Sequence, residues 1–233
     1  MLKAVLDIVF PPVCLLCGER ALKKGFCEGC AGLIEKERIT TPICTICGIP
    51  FISPRGVDHA CGKCVEEPPS FSAARSAFVF EGKVLDAIHK LKYGGDTSVA
   101  APLANLVSGS IGGHRPCLVV PVPLHAGRLR ERGFNQSLLI ARELSRIISL
   151  PLIYNRLKRT RDTGQQVGLK ALERKKNVSG AFTLVEPGSF KGKKVLLVDD
   201  VVTTGATLNE CSKVLKRAGA VVVAITVARA VKL

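Results

Sequence analysis

Two adjacent carboxylates, Asp199 and Asp200, end an apolar run at 195–198, and a short polar segment follows them, Thr203-Thr204-Gly205-Ala206-Thr207. Ionised carboxylates repel a phosphate, but they accept hydrogen bonds from the vicinal hydroxyls of a sugar or approach a hydrated Mg²⁺. The small residues at 203–207 do the opposite work. They let backbone N–H groups close on a phosphate at the start of a helix, where the dipole favours an anion, and three threonine hydroxyls add donors. Acceptors for a diol followed at once by donors for a phosphate make the pattern of a phosphorylated sugar site.

A second chemistry sits at the other end of the chain. Eight of the ten cysteines fall in the first 64 residues as four CxxC pairs, Cys14/Cys17, Cys27/Cys30, Cys44/Cys47 and Cys61/Cys64. A two-residue gap turns both thiolates of a pair toward one tetrahedral ion, and two pairs complete a four-sulfur site, so eight ligands suit two structural zinc ions. The segment also repeats itself. Pro12-Val13-Cys14-Leu15-Leu16-Cys17-Gly18 returns as Pro42-Ile43-Cys44-Thr45-Ile46-Cys47-Gly48, each copy followed by another CxxC. The repeat favours one ion per copy and leaves open an interleaved arrangement with Cys14/Cys17 beside Cys44/Cys47. A disulfide framework would need an oxidising compartment, and nothing in the sequence directs the chain to one. His59 is a spare ligand type, but four pairs already fill two sites. Cys117 and Cys211, in apolar surroundings, read as small buried hydrophobes.

The elements that must carry the first site are legible around it. The run at 195–198 has the continuous apolar character of a strand covered on both faces. Leu208, Cys211, Val214 and Leu215 mark a helix behind the polar loop, Gly219 closes it, and 221–227 supply the next strand. This βαβ unit places its loop at the carboxyl end of a strand, where open α/β sheets bind ligands. An earlier strand at 117–120 runs into Pro121-Val122-Pro123 and a loop with Arg128, Arg130 and Arg132 at every second position. Arginine forks suit bidentate phosphate contacts. Leu138, Ala141, Leu144 and Ile148 mark a further helix, and 84–91 another that ends before Lys92 and Tyr93. Tyr93, Phe134 and Phe182 are of a type that stacks on a base, although such residues more often fill cores. The stretch 159–177, polar, basic and interrupted by Gly164 and Gly168, suits a lid over the ligand. His89, His114 and His125 are isolated and read as surface or internally satisfied groups.

VLLVDDVVTTGATL resembles the phosphoribosyl pyrophosphate signature of type I phosphoribosyltransferases. With the cysteine module and PVPLHAGRLRERGFNQ at 121–136, nearly the whole chain resembles the ComF family of bacterial competence-related proteins. That resemblance implies a type I phosphoribosyltransferase-like α/β domain with a parallel sheet at 69–233 and a double zinc-ribbon module at 1–68. It implies that Asp199 and Asp200 meet the ribose hydroxyls and that Thr203, Thr204, Gly205, Ala206 and Thr207 cradle the 5′-phosphate. Mg²⁺ would arrive with the ligand, and a pyrophosphate loop would follow the strand at 117–120. Gln165, Arg174 and Asn177 match positions of the family pattern, and Arg130, Arg132 and Arg174 are the candidate catalytic groups. DNA uptake comes with the family, and with it single-stranded DNA and a competence helicase as expected partners.

Composition bounds these readings. With 47% hydrophobic and only 5% aromatic residues, the 233-residue chain suits a Val/Ile/Leu/Ala-rich α/β protein. No stretch approaches the roughly 18–20 apolar residues of a membrane span. Residues 2–10 read as a short amphipathic helix rather than a signal peptide, and the expected location is the cytoplasm. The formal charge of +15 lies wholly beyond residue 70, and 128–177 carry thirteen basic against four acidic groups. Such a field attracts polyanions, either a pyrophosphate ester or nucleic acid. Two functions therefore stand side by side: a phosphoribosyltransferase whose acceptor no motif identifies, and a non-catalytic protein that handles single-stranded DNA or senses phosphoribosyl pyrophosphate on the same fold. A sensor acting as a transcriptional regulator would lack any helix-turn-helix signal.

Overall fold

The computed structural model describes residues 11–53, 55–161 and 176–231. Two small ribbons open the chain, with α1 (Glu28–Lys36) and α2 (Gly62–Glu66) each starting at the second cysteine pair of its repeat. Four parallel strands follow, β1 (Ala73–Val79), β2 (Leu118–Pro121), β5 (Lys194–Val202) and β6 (Val221–Arg229), in the sheet order β1-β6-β5-β2. Between β1 and β2 run α3 (Gly82–Tyr93) and α4 (Ala100–Ser108); after β2 come α5 (Ala126–Arg132) and α6 (Gln136–Ile147). β3 (Leu157–Arg159) and β4 (Phe182–Leu184) form a separate antiparallel pair, and α7 (Ala206–Arg217) joins β5 to β6.

The apolar runs of β5 and β6 are continuous because the sheet is covered on both sides. Leu196, Val198, Val223 and Ile225 pack with Leu91, Leu103, Ile140 and Leu144 from α3, α4 and α6. Val195, Leu197, Val222 and Ala224 pack with Leu208, Cys211 and Leu215 of α7 and with Phe182 and Phe190. Alternate residues of one strand thus serve two cores, as the strand's two-residue period requires. The expected parallel-sheet α/β fold with a zinc-ribbon module in front of it is the observed one.

Both sheet edges are covered, which removes the exposed ladders that invite aggregation. Along β2, Val119 exchanges hydrogen bonds with Pro151 and Ile153, both at 2.8 Å. Along β1 the covering comes from the cysteine module. Ile39 N–H donates to the Ala77 carbonyl at 2.9 Å, Val79 N–H to Glu37 at 2.8 Å, and Ala74 N–H to Ile46 at 2.7 Å. The ribbons are therefore an extension of the sheet edge, seated against the body by main-chain hydrogen bonds.

Two sequence expectations change here. The segment holding Arg128, Arg130 and Arg132 is helical, not a loop, so Arg128 and Arg132 share one face of α5 and Arg130 points away from it. Cys117 is exposed rather than buried: it precedes the edge strand β2, and its sulfur exchanges hydrogen bonds with the Lys194 main chain. Cys211 is fully buried in α7 as expected.

Candidate functional site

The ribbon repeat is a repeat in three dimensions. Cys14 N–H donates to Glu19 at 2.7 Å and Gly18 N–H to Cys14 at 3.0 Å; their counterparts, Cys44 to Ile49 and Gly48 to Cys44, are at 2.8 and 2.9 Å. Each tight turn aims an amide at sulfur, with Leu16 N–H on Cys14 Sγ and Cys47 N–H on Cys44 Sγ, both at 3.4 Å. The fold gathers Cys14, Cys17, Cys27 and Cys30 in one group and Cys44, Cys47, Cys61 and Cys64 in another, all sulfurs of a group lying within 4.8 Å of one another. The structure thus assembles the sequential sets and not the interleaved ones.

These groups fit a tetrahedral zinc ion. Zn–S bonds of about 2.3 Å put neighbouring sulfurs about 3.8 Å apart, and Cys17–Cys27 and Cys47–Cys61 are separated by 3.6 and 3.8 Å. Burial raises the Cys14 and Cys44 thiols, but backbone N–H donors outweigh it and hold both at about 6. In contrast, burial and neighbouring sulfurs push Cys30 up to about 12. Four thiolates crowded together need a cation before all can ionise. His59 stays outside both groups; its Nδ1 lies 2.9 Å from the Val57 carbonyl and its ring stacks on Phe51 at 4.1 Å.

The second site lies at the carboxyl ends of the strands. Asp199 and Asp200 are the sixth and seventh residues of β5, 8% and 4% exposed. Ser137 Oγ, at the start of α6, donates to Asp199 Oδ1 at 2.7 Å, and the Asp200 N–H reaches the same oxygen at 3.0 Å. Asn135 sets Ser137 there by capping α6, its side chain accepting from the Ser137 N–H at 3.0 Å. Asp200 forms an ion pair with Lys92, in the last turn of α3. Burial, then the charge of Asp200, pushes Asp199 up to about 8. Burial acts in the same sense on Asp200, but Lys92 outweighs it and holds that carboxyl below its ordinary range. Burial disfavours the Lys92 charge, and Asp200 more than restores it.

Gly205, at φ +80, turns the chain from β5 into α7, a conformation that favours glycine. The loop and the first turn of α7 then wall a cavity of about 370 Å³ with Phe80, His89, Lys92, Tyr93 and Asp199. Thr203, Thr204, Gly205, Ala206 and Thr207 all line it. A larger cavity of about 1440 Å³ opens beside the same loop and is walled in part by the second ribbon, including Phe51 and His59.

Against known families, residues 5–65 match the double zinc ribbon domain and residues 135–232 the phosphoribosyl transferase domain. Competence protein F of Haemophilus influenzae is 33% identical over 205 residues, 84% of this chain and 86% of that protein. The chain belongs to the ComF family. The DNA utilization protein YhgH of Salmonella typhimurium is likewise 33% identical, over 227 residues covering 94% and 96% of the two chains. Competence protein ComFC of Bacillus subtilis is 27% identical over 229 residues, 89% and 90% of the two.

In this ComF-family chain the structure brings some expected residues together and separates others. Asp199 and the loop 203–207 share one cavity. Arg132 approaches it indirectly, with its guanidinium 5.4 Å from the Tyr93 ring centre and bonded to Gln136 Oε1 at 2.8 Å. Arg130 is exposed. Gln165, Arg174 and most of the expected lid at 159–177 lie outside the described residues, as does the expected helix at 2–10. Phe182 is core, Phe134 packs against core, and Tyr93 alone of the three aromatics is exposed at the cavity. His125 caps α5 through Nδ1, satisfied as expected. Ser137 was not signalled by residue type; its place after the capping Asn135 was the only trace. Among the described residues, no helix is long and apolar enough to cross a membrane.

Proposed function

We propose that this chain binds phosphoribosyl pyrophosphate in the 370 Å³ cavity, with the 5′-phosphate on the loop 203–207 and the ribose toward the acidic end of β5. The observation that carries this reading is the meeting, on one cavity, of the α7 N-terminus with its threonines, a buried carboxylate and the Lys92 ammonium. Phosphate donors and diol partners line the same cavity, a combination that suits a phosphorylated sugar. The division of the chain at 68/69 belongs to the same reading, the zinc module in front and the ligand-binding domain behind.

Mg²⁺ fits as the counter-ion of the pyrophosphate rather than as a ligand of the acidic pair. Asp200 already holds Lys92, and Asp199 is pushed toward its neutral form, so the pair offers no free divalent cage. Bound with the ligand, Mg²⁺ supplies charge neutralisation to the leaving pyrophosphate. The chain's own part is positional: the loop anchors the phosphate, the strand end orients the sugar, and Arg132 adds positive potential near Tyr93. The larger cavity offers room for a second reactant beside the same loop.

Calorimetric titration of phosphoribosyl pyrophosphate with Mg²⁺ tests the reading. Micromolar binding by the wild type that is lost in Asp199→Ala/Asp200→Ala supports it; no binding by folded, zinc-loaded protein refutes it. Pyrophosphate release with a defined acceptor would then distinguish an enzyme from a sensor.

A second reading, single-stranded DNA handling, draws on the relatives' names and on the basic stretch 128–177. Lys158 is exposed on that surface, whereas Arg156 pairs with Glu186 and Arg159 sits over the Phe182 ring at 5.6 Å. Charge reversal at Arg156, Lys158 and Arg159 should weaken DNA binding and flatten its salt dependence. A competence helicase as partner belongs to this second reading.

A further inference from the structure

The larger cavity, of about 1440 Å³, shares Thr203, Thr204, Gly205 and Ala206 with the smaller one, and the second ribbon walls another part of it. Its volume exceeds the roughly 300–1,000 Å³ of an ordinary small-ligand pocket. The groups on its wall, and not its size, therefore say what it takes.

Most of that wall is apolar, and part of it is flat. Phe51 and His59 stand in it with their rings 3° from parallel and 4.1 Å apart, beside Pro68 and Phe71. Two rings stacked on one another leave their outer faces for a third planar group.

Two polar side chains on the wall are each held by one hydrogen bond and have donors to spare. Asn209, in the first turn of α7, accepts the Ser70 N–H on its Oδ1 at 2.7 Å, which fixes the carboxamide. Among the described residues nothing accepts from its Nδ2. Arg229, 5% exposed, donates one N–H to the Cys47 carbonyl, and its Nε has no partner among the described residues. A buried donor without a partner calls for an explanation in a native fold, and a ligand supplies one. The acceptors nearby are committed or solvated: Glu210 is taken by Lys213 and the Gly180 N–H, and Glu67 and Glu81 are exposed. What the fixed polar groups ask of an occupant is acceptors.

We propose that this cavity binds a planar heterocycle bearing a carbonyl oxygen, with its ring against the Phe51/His59 pair and its oxygen toward Asn209 and Arg229. The second ribbon is then a binding wall as well as a metal module. The proposal concerns binding alone and stands whether or not the smaller cavity takes a phosphorylated sugar.

The experiment is calorimetric titration of hypoxanthine and of adenine, which carry an oxygen and an amino group at the same ring position. Wild type, Phe51→Leu, Asn209→Asp and Tyr93→Ala are compared, with and without saturating ribose 5-phosphate. The wild type should prefer hypoxanthine by about tenfold, the worth of one good hydrogen bond gained against a donor left facing a donor. Phe51→Leu should weaken both rings alike, by about tenfold, as loss of stacking does. Asn209→Asp keeps an oxygen for the Ser70 N–H, suits the start of a helix, and replaces the free donor by an acceptor. It should reverse the preference to adenine. Should Phe51→Leu fail to load two zinc ions, Asn209→Asp lies outside the ribbon and reads the site without it.

No binding of hypoxanthine to the wild type, with or without ribose 5-phosphate, overturns the proposal. So does a preference for hypoxanthine that survives Asn209→Asp. Binding that is unmoved by Phe51→Leu but lost in Tyr93→Ala would put the ring in the smaller cavity and overturn it too. Ribose 5-phosphate titrated by itself tests the phosphoribosyl reading, so the two failures are told apart.

Discussion

Arg229, the last residue of β6, donates its guanidinium N–H to the main-chain carbonyl of Cys47, 182 positions away in the chain. That bond joins the carboxyl end of the sheet to the knuckle of the second ribbon. Burial works against the Arg229 charge, and the sulfurs of Cys47, Cys44, Cys64 and Cys61 work for it. The zinc module is thus tied into the body by an electrostatic link as well as by the hydrogen bonds along β1.

Arg229→Met should therefore destabilise the protein by about 1–3 kcal/mol, because it leaves the Cys47 carbonyl without its buried donor. It should also speed loss of metal from the second ribbon to a chelator while the first is unaffected. Thermal melting and a two-phase chelator assay measure the two effects.

The glycines that follow Cys17 and Cys47 form a matched pair. Gly18 and Gly48 have φ of +77 and +72, so alanine strains the backbone at both. A Cβ on Gly18 meets nothing within 4 Å, whereas one on Gly48 would stand 2.4 Å from the Ala74 carbonyl oxygen. Gly18→Ala should cost about 1 kcal/mol, and Gly48→Ala clearly more, with the second ribbon lifted from β1. Urea denaturation of both variants gives the comparison.

Asp199 makes stability depend on pH in an unusual direction for a carboxylate. Its folded value of about 8 exceeds its ordinary 3.8, so between those limits the folded chain holds a proton that the unfolded chain has released. The ligand-free protein should lose stability from this group as pH rises through that window, levelling off above about 8. Asp200, held low by Lys92, contributes in the opposite sense, with stability present above its unfolded value and lost only in stronger acid. Melting temperatures of wild type and Asp199→Asn across pH 5 to 9 check the sign: the variant should lose the decline.

Metal content offers a further check. Two zinc ions per chain are expected, and Cys44→Ser should leave one. Loss of the second ion should lower the melting temperature, because coordination free energy is folding free energy in so small a module. Elemental analysis beside a melting curve reads both.

Much of this architecture is legible in residue order because its determinants are local. The continuous apolar run ahead of Asp199, the 3.6-residue pattern of Leu208, Cys211 and Leu215, and the CxxC spacing each express a constraint acting over a few residues. The repeat of Cys14-Leu15-Leu16-Cys17-Gly18 at 44–48 foreshadows the duplicated turn. Arg128, Arg130 and Arg132 show where local reading fails: the residues after Pro121-Val122-Pro123 read as a loop, but His125 caps a helix there and divides the three between faces. Cys117 reads as core from its apolar neighbours and is exposed because β2 turns out to be an edge.

By itself, then, the sequence determined the cysteine sets' ligand types, the polar loop between β5 and α7 and the class of fold, all written in nearest-neighbour chemistry. Which cysteines meet, that Ser137 and Lys92 divide the acidic pair between them, and that Arg229 reaches Cys47 were decided only in three dimensions. Those partners lie 62, 108 and 182 positions apart, or, for the sulfur groups, on separate turns. Contacts of that kind follow from strand order and edge pairing, which no local pattern of residues encodes.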